Sequence, residues 1–255
     1  MPTPSRSTVL ESLRIRLRVL EGSPQSGAVL PFGDARIDRC LAGGGLALGA
    51  VHEIMPAGLD GELGAVGAAF GATLLRRLPA RGALVWIMQR DDLYGPGLAG
   101  LGINPDRLIL VGAKDDAEAL AALEDVLRAD GVAAALAEVG RLDLTAGRRL
   151  KLACERSGAT AFVLHRWPNG RPRGVRGQAA ASAAASRWRI AAAPSTPSEP
   201  GVGPPRWRVV LEHSRGGREG AWIMEASDAT GDVRVVAELA AGAAAAPPLP
   251  ARAAG

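Results

Sequence analysis

Apolar positions recur along the chain in two rhythms. Over residues 7–21 (STVLESLRIRLRVLE), Leu10, Leu13, Leu17 and Leu20 follow one another at spacings of three and four, the period of one helix face. Ser7 or Thr8 can cap that helix, and Glu11 stands three residues after Thr8, as a capping box requires. Such a stripe packs on its own domain or is offered to a partner's groove. Residues 22–30 read as a Gly/Pro/Ser linker, and 34–41 (DARIDRCL) as a short helix closed by Gly43, Gly44 and Gly45. From Ala50 the rhythm changes to short blocks that are apolar throughout: 50–54, 83–88 (ALVWIM), 107–112 (RLILVG), 131–138 (GVAAALAE) and 159–165 (ATAFVLH). Between them lie helical segments at 62–77, 115–128 and 145–157, the second marked by Asp115 as cap and Glu118 three residues on. Uniformly apolar strands alternating with helices predict a parallel sheet covered on both faces.

After Leu164 the pattern changes again. Residues 166–180 (RWPNGRPRGVRGQAA) form a basic loop without apolar period. Short strands follow at 187–192, 206–213, 220–226 and 232–237, and alternation of period two around Gly216-Gly217 predicts an antiparallel hairpin over 206–226. Residues 193–205 are a Pro-rich connector, and 240–255 an Ala/Pro tail expected to be disordered. The domain expectation is therefore an N-terminal helical segment over 1–24, a core over 25–239 and the tail.

Composition narrows the classes. The 255 residues are 47% hydrophobic but only 4% aromatic, so the core is built mainly of Ala, Leu, Val and Ile. The net charge of +4 comes almost wholly from arginine, since Lys114 and Lys151 are the only lysines. Two distant cysteines, Cys40 and Cys154, exclude a disulfide framework and offer no zinc spacing, and they suit a reducing cytoplasm. Arg14, Arg16 and Arg18 interrupt the apolar N-terminal stretch, so no signal peptide is expected, and no apolar run has the length of a membrane span.

The most informative segment is 49–64 (GAVHEIMPAGLDGELG), in which a strand runs through a glycine-bearing loop into a helix. That is the layout of a phosphate-binding P-loop, whose chemistry needs GxxxxGK[ST]. Here Pro56 replaces the first glycine and removes a backbone donor, Gly61 keeps the second, Glu62 replaces the lysine, and Leu63 replaces the hydroxyl residue. At about 4 Å one unit-charge contact is of order 4 kcal/mol at an effective dielectric of about 20, so placing a carboxylate there turns attraction for a triphosphate into repulsion.

The stretch DRCLAGGGLALGAVHEI (38–54) resembles the lead-in to the P-loop of RecA-type recombinases. The strand ALVWIM, then GLAGLGINPDRLILVG, then RWRVVLEHSRGGREGAWIMEASDATG continue the likeness in order. Within that superfamily the chain is most similar to ImuA-type damage-inducible mutagenesis proteins, over about 30–239, with the SulA cell-division inhibitors as relatives that share the core. The resemblance implies an α/β fold: a RecA-like core with a mostly parallel β-sheet flanked by helices, plus a C-terminal antiparallel hairpin. It places the catalytic glutamate of active relatives at Arg90, with Asp91 and Asp92 just beyond, and the Walker B acid at Glu138. It implies a non-enzymatic accessory of SOS-induced translesion synthesis in DNA repair. That accessory would use no cofactor or metal and would bind an ImuB-type polymerase-like protein. RecA, single-stranded DNA and self-association are further candidates, the last through the N-terminal helix. The alternatives are a SulA-like division inhibitor and a residual ATP-binding recombinase-like protein.

Two basic groups are candidates for DNA or partner binding. Arg166, Trp167, Arg171, Arg173 and Arg176 combine phosphate-neutralising cations with a ring that can stack on a base. A solvated basic loop is the competing reading. Arg206, Arg208, Arg215 and Arg218 lie on the expected hairpin, where Arg206 and Arg208 share a face opposite Trp207, equally the polar face of an ordinary antiparallel edge. His52 is read as structural, His165 as a weaker contact candidate, and Trp188, Trp207 and Trp222 as core anchors.

Overall fold

A computed structural model describes residues 27–58, 60–167, 182–195, 203–226 and 233–239. The expected N-terminal helix, Arg171, Arg173, Arg176 and the 240–255 tail lie outside the described residues.

Strand β1 (Val29–Leu30) pairs antiparallel with β2 (Leu46–Ala47), so the end of the expected linker contributes a small ribbon instead. Gly45 makes the closure feasible: a Cβ there would lie 2.8 Å from the Leu30 carbonyl carbon and oxygen. Between them runs α1 (Ala35–Asp38), capped by Asp34, whose carboxylate accepts from the Arg36 N–H. The chain continues through β3 (Val51–Pro56), α2 (Asp60–Arg76), β4 (Ala83–Met88), α3 (Gly95–Gly100) and β5 (Leu108–Gly112). Then follow α4 (Asp116–Arg128), β6 (Val132–Val139), α5 (Leu144–Ser157), β7 (Thr160–His165), β8 (Ser186–Ala193), β9 (Arg206–Ser214), β10 (Gly220–Ala226) and β11 (Val233–Glu238).

One nine-stranded sheet has the order β11-β10-β9-β8-β3-β7-β6-β4-β5. The run from β8 to β5 is parallel, and β8 to β11 form an antiparallel meander, which extends the expected hairpin to four strands. The parallel strands are apolar on both faces because both faces are covered. One face carries Ile54, Trp86, Leu136, Phe162, Leu164 and Trp188 beneath α2, with Phe70, Leu74 and Leu75. The other carries Val51, Val85, Ile87, Ala135, Ala137 and Val163 beneath α4 and α5, with Leu123, Leu127, Leu150 and Cys154. Trp188 anchors the first layer, with Phe32, Phe70 and Trp222 ring centroids 5.5, 5.9 and 6.5 Å away.

The helices are bounded as their sequences dictate. Asp115 accepts from Glu118 N–H at 2.9 Å and Asp143 from Ala146 N–H at 2.8 Å, and α5 stops at Gly158 in the left-handed conformation. Helix α2 begins at Asp60, two residues earlier than expected, so the loop after β3 is three residues long and Gly61, Glu62 and Leu63 fall in the first helical turn. Gly67 and Gly71 let α2 lie close on the sheet: a Cβ at Gly67 would meet Leu164 Cδ1 at 2.9 Å, and one at Gly71 would meet Leu136 Cδ1 at 2.7 Å.

Candidate functional site at the strand ends

In parallel α/β sheets, ligands bind beyond the carboxyl ends of the strands. Here those ends hold a linked set of ion pairs. Glu138, near the end of β6, is buried, and both its oxygens are taken: the Trp86 indole N–H donates to Oε1 at 2.9 Å and Arg166 Nη1 donates to Oε2 at 2.8 Å. Arg166 also grips Asp92 with both terminal nitrogens, at 2.9 Å to Oδ1 and 2.8 Å to Oδ2. Burial pushes the Glu138 carboxyl above its ordinary value, while the Arg166 charge and the Trp86 bond oppose that rise.

A second carboxylate, Glu53 of β3, is buried two strands away. His165 Nε2 lies 3.1 Å from Oε2, Arg187 Nη2 lies 3.4 Å from Oε1, and the Ser182 hydroxyl donates to Oε1. Burial alone would raise this carboxyl, but the His165, Arg187 and Ser182 interactions outweigh it and hold it at about 2. The His165 ring stacks on Trp167 with centroids 5.5 Å apart, and the Trp167 indole donates to Gly140 O at 2.7 Å. Asp116, the first residue of α4, ties the ends of β4 and β6: it accepts from Gln89 Nε2 at 2.6 Å, Gly140 N–H at 2.8 Å and Arg141 N–H at 2.9 Å.

His52 belongs to the framework. Its Nε2 donates to Ala47 O at 2.8 Å, while Nδ1 faces Ser186 Oγ at 2.7 Å, and that oxygen accepts from Trp188 Nε1. Burial pushes this imidazole down to about 4, so it is neutral.

The residues predicted from sequence distribute unevenly. Pro56 is buried at the end of β3, and the next N–H, that of Ala57, donates to Ile190 O at 2.8 Å. Arg166 and Trp167, grouped by sequence with the basic loop, are held inside the strand-end network, with Trp167 only 6% exposed. Arg206 donates to Glu225 Oε2 at 2.7 Å, and Arg215 Nη2 to Ala183 O at 2.6 Å. Arg206 and Arg208 are half-buried on the face opposite Trp207, as the alternation requires, and Arg218 is exposed near the turn. Sequence reading missed Trp86, Gln89, Asp116, Ser182 and Arg187, and treated Glu53 only as part of a motif. An indole inside a wholly apolar strand was a usable signal, because a buried Trp N–H needs an acceptor.

The resemblance to RecA-type proteins implies a magnesium-bound nucleotide at this end of the sheet, where the corresponding acid, Glu138, is already paired. Arg166 supplies a counter-charge at Oε2 and Trp86 donates to Oε1, which takes up two of the carboxylate's roughly four lone-pair sites. Among the described residues no cluster of His, Cys, Asp or Glu is placed to hold a metal, and no helix is long and apolar enough to cross a membrane.

Comparison with known proteins bears on the same fold. The chain is 55% identical to Protein ImuA of Caulobacter vibrioides (strain NA1000 / CB15N) over 210 residues, which span 79% of this chain and 84% of that protein. The chain belongs to the ImuA family. Protein ImuA of strain ATCC 19089 / CIP 103742 / CB 15 matches with the same identity and coverage. The crystal structure of the RadB recombinase superposes on this ImuA-family chain with a TM-score of 0.52 and 15% identity, over 80% of the chain and 98% of RadB, which shows the RecA-like fold. No family model matches the chain.

Proposed function

We propose that this ImuA-family chain is a non-catalytic RecA-like accessory of damage-induced mutagenesis, within the SOS response and translesion DNA synthesis. It acts in the cytoplasm by docking an ImuB-type polymerase-like protein, with RecA and single-stranded DNA as further contacts. The observation that carries the reading is the closure of Glu138 by Arg166 and Trp86. The acid that would hold a catalytic metal is instead spent on the scaffold. Its support in sequence is Glu62 and Leu63 where phosphate binding needs lysine and a hydroxyl.

Two measurements test it. Calorimetry of the full chain with magnesium and ATP is expected to give no saturable binding. Tight, magnesium-dependent capture that vanishes in Gly61→Asp would replace the scaffold with a nucleotide engine. Co-purification with a full-length ImuB-type protein is expected to recover a stable complex. Two folded proteins that do not associate would remove the docking claim.

A further inference from the structure

The two faces of the sheet are covered unequally. On the first, the core layer beneath α2 runs on into the meander, through Ile190 of β8, Trp207 of β9, Met224 of β10 and Val235 of β11. On the second, α4 and α5 pack on β3, β4, β6 and β7, and among the described residues their layer includes no residue of β8 to β11. The strand register shows what this second face presents: Arg208 stands between Ala191 and Ile223, and Val210 between Arg189 and Ala221. Arg208, Val210 and Ile223 are partly exposed. A solvated antiparallel face alternates to polar residues, whereas the centre of this one is apolar around a single guanidinium. Four arginines, Arg189, Arg206, Arg208 and Arg234, share the face with two glutamates. Arg189 pairs with Glu212, while Arg206 and Arg234 divide Glu225 between them at 2.7 and 2.8 Å. Arg208 has no carboxylate partner among the described residues. The face therefore holds more guanidinium than carboxylate, and the unmatched arginine lies in its apolar centre.

We propose that this face receives one acidic, apolar helix of the partner protein, which completes the second layer over β8 to β10 and brings a carboxylate to Arg208. The placement rests on the docking reading above. Three strands span about 10 Å between their outer axes, the width of one helix. Charge selects the occupant. Of the chain's own long segments outside the described residues, 1–26 carries Arg6, Arg14, Arg16 and Arg18 against Glu11 and Glu21, 168–181 carries arginines and no acid, and 240–255 carries Arg252 and no acid. The connections 196–202 and 227–232 do hold acids but are too short to lay a helix across three strands. A second copy would bring the same excess of guanidinium. A nucleic acid would meet Glu212 and Glu225 and find no ring to stack on, because Trp188, Trp207 and Trp222 face the first layer. A helix with carboxylates beside apolar residues satisfies both halves of the face: it covers Ala191, Val210 and Ile223 and meets Arg208 through a bidentate contact. A face contact is favoured over an added strand because the neighbouring edge, β11, carries Arg234 and Glu238, and its ladder with β10 is irregular at Ile223/Met224. Charges and bulges are the devices by which an edge resists pairing.

Interferometry between the full chain and a full-length ImuB-type protein tests this. The wild-type affinity is expected to fall as salt rises. Arg208→Glu and Ile223→Asp are each expected to weaken it roughly tenfold or more, with unchanged circular dichroism. Should Ile223→Asp disturb that spectrum, Arg208→Glu decides. Arg148→Glu, the same reversal at an exposed arginine of α5, is expected to leave the affinity unchanged. A benzophenone side chain installed at Val210 is expected to capture, on illumination, a partner peptide with acidic and apolar residues at helical spacing. Binding that neither reversal weakens, or an equal loss in Arg148→Glu, would overturn the proposal and leave the docking reading standing. Capture of a peptide without acids, of another part of this chain, or of a second copy would do the same. Two folded wild-type proteins that do not associate would remove both.

Discussion

Replacing Arg166 with alanine would leave the Glu138 carboxylate buried, with the Trp86 indole as its remaining partner among the described residues. The Arg166 side chain is 12% exposed and that of Glu138 3%, so water cannot readily replace the lost guanidinium. Breaking a buried pair by removing one partner costs about 3–5 kcal/mol. The Asp92 side chain is 43% exposed, and its share adds about 0–1 kcal/mol. Against a domain stability of about 5–15 kcal/mol this is a large fraction. The loss depends on pH in a defined sense. The folded-state value of Glu138 is already raised and rises further without the guanidinium. From the ordinary carboxylate value upward the folded state then binds more protons than the unfolded one, so the variant loses stability as pH rises through the elevated value. Urea unfolding followed by tryptophan fluorescence is expected to show the larger deficit at pH 8 and a smaller one at pH 5. Adding Glu138→Gln, which removes the orphaned charge and keeps an acceptor for Trp86, is expected to recover much of it. A deficit under about 1 kcal/mol at both pH values, or no recovery in the double variant, would refute the reasoning.

Gly71→Ala is expected to destabilise by about 0–2 kcal/mol: overpacking against Leu136 costs about 1–3 kcal/mol, while better helix propensity returns about 1 kcal/mol. Thermal unfolding checks it, and a stabilised variant would mean that α2 shifts freely on the sheet. The His52 ring is expected to remain neutral, with its proton on Nε2, down to about pH 4. Because its folded value is depressed, the associated stability is full above its ordinary value and is lost as pH falls toward 4; nitrogen-detected NMR showing protonation near pH 6.5 would contradict this. Replacing Arg171, Arg173 and Arg176 together with alanine is expected to weaken single-stranded DNA binding and flatten its salt dependence, measured by fluorescence anisotropy across salt concentrations. Unchanged binding would place any DNA contact elsewhere.

The layered fold was legible because period and burial agree. Strands such as ALVWIM, buried on both faces, carry no polar residue to blur the pattern, and the Asp115 cap marks the start of α4. The ribbon of β1 and β2 was not legible, because two-residue strands have no period and its fit depends on one backbone approach at Gly45. Exposure of β5 was equally hidden. Leu108–Gly112 reads like any interior strand, and only the sheet order puts it last. Candidate site residues were recognisable as types but not as pairs. Glu138 and Arg166 are 28 positions apart, and Glu53 and His165 are 112, so nothing local announces either contact. Arg166 reads as one more arginine of a basic loop, yet it turns inward because a buried carboxylate awaits it.

The Arg166 guanidinium differs from a bound divalent ion in one material respect: it is tethered by covalent bonds to β7's own chain. A chelator cannot strip it, and a swing in cellular magnesium or in the ATP/ADP ratio leaves its occupancy untouched. The joint between β4, β6 and β7 is therefore closed by groups that all belong to the chain itself. A cation built into the sequence in this way is delivered with every copy of the chain and is set by the gene alone.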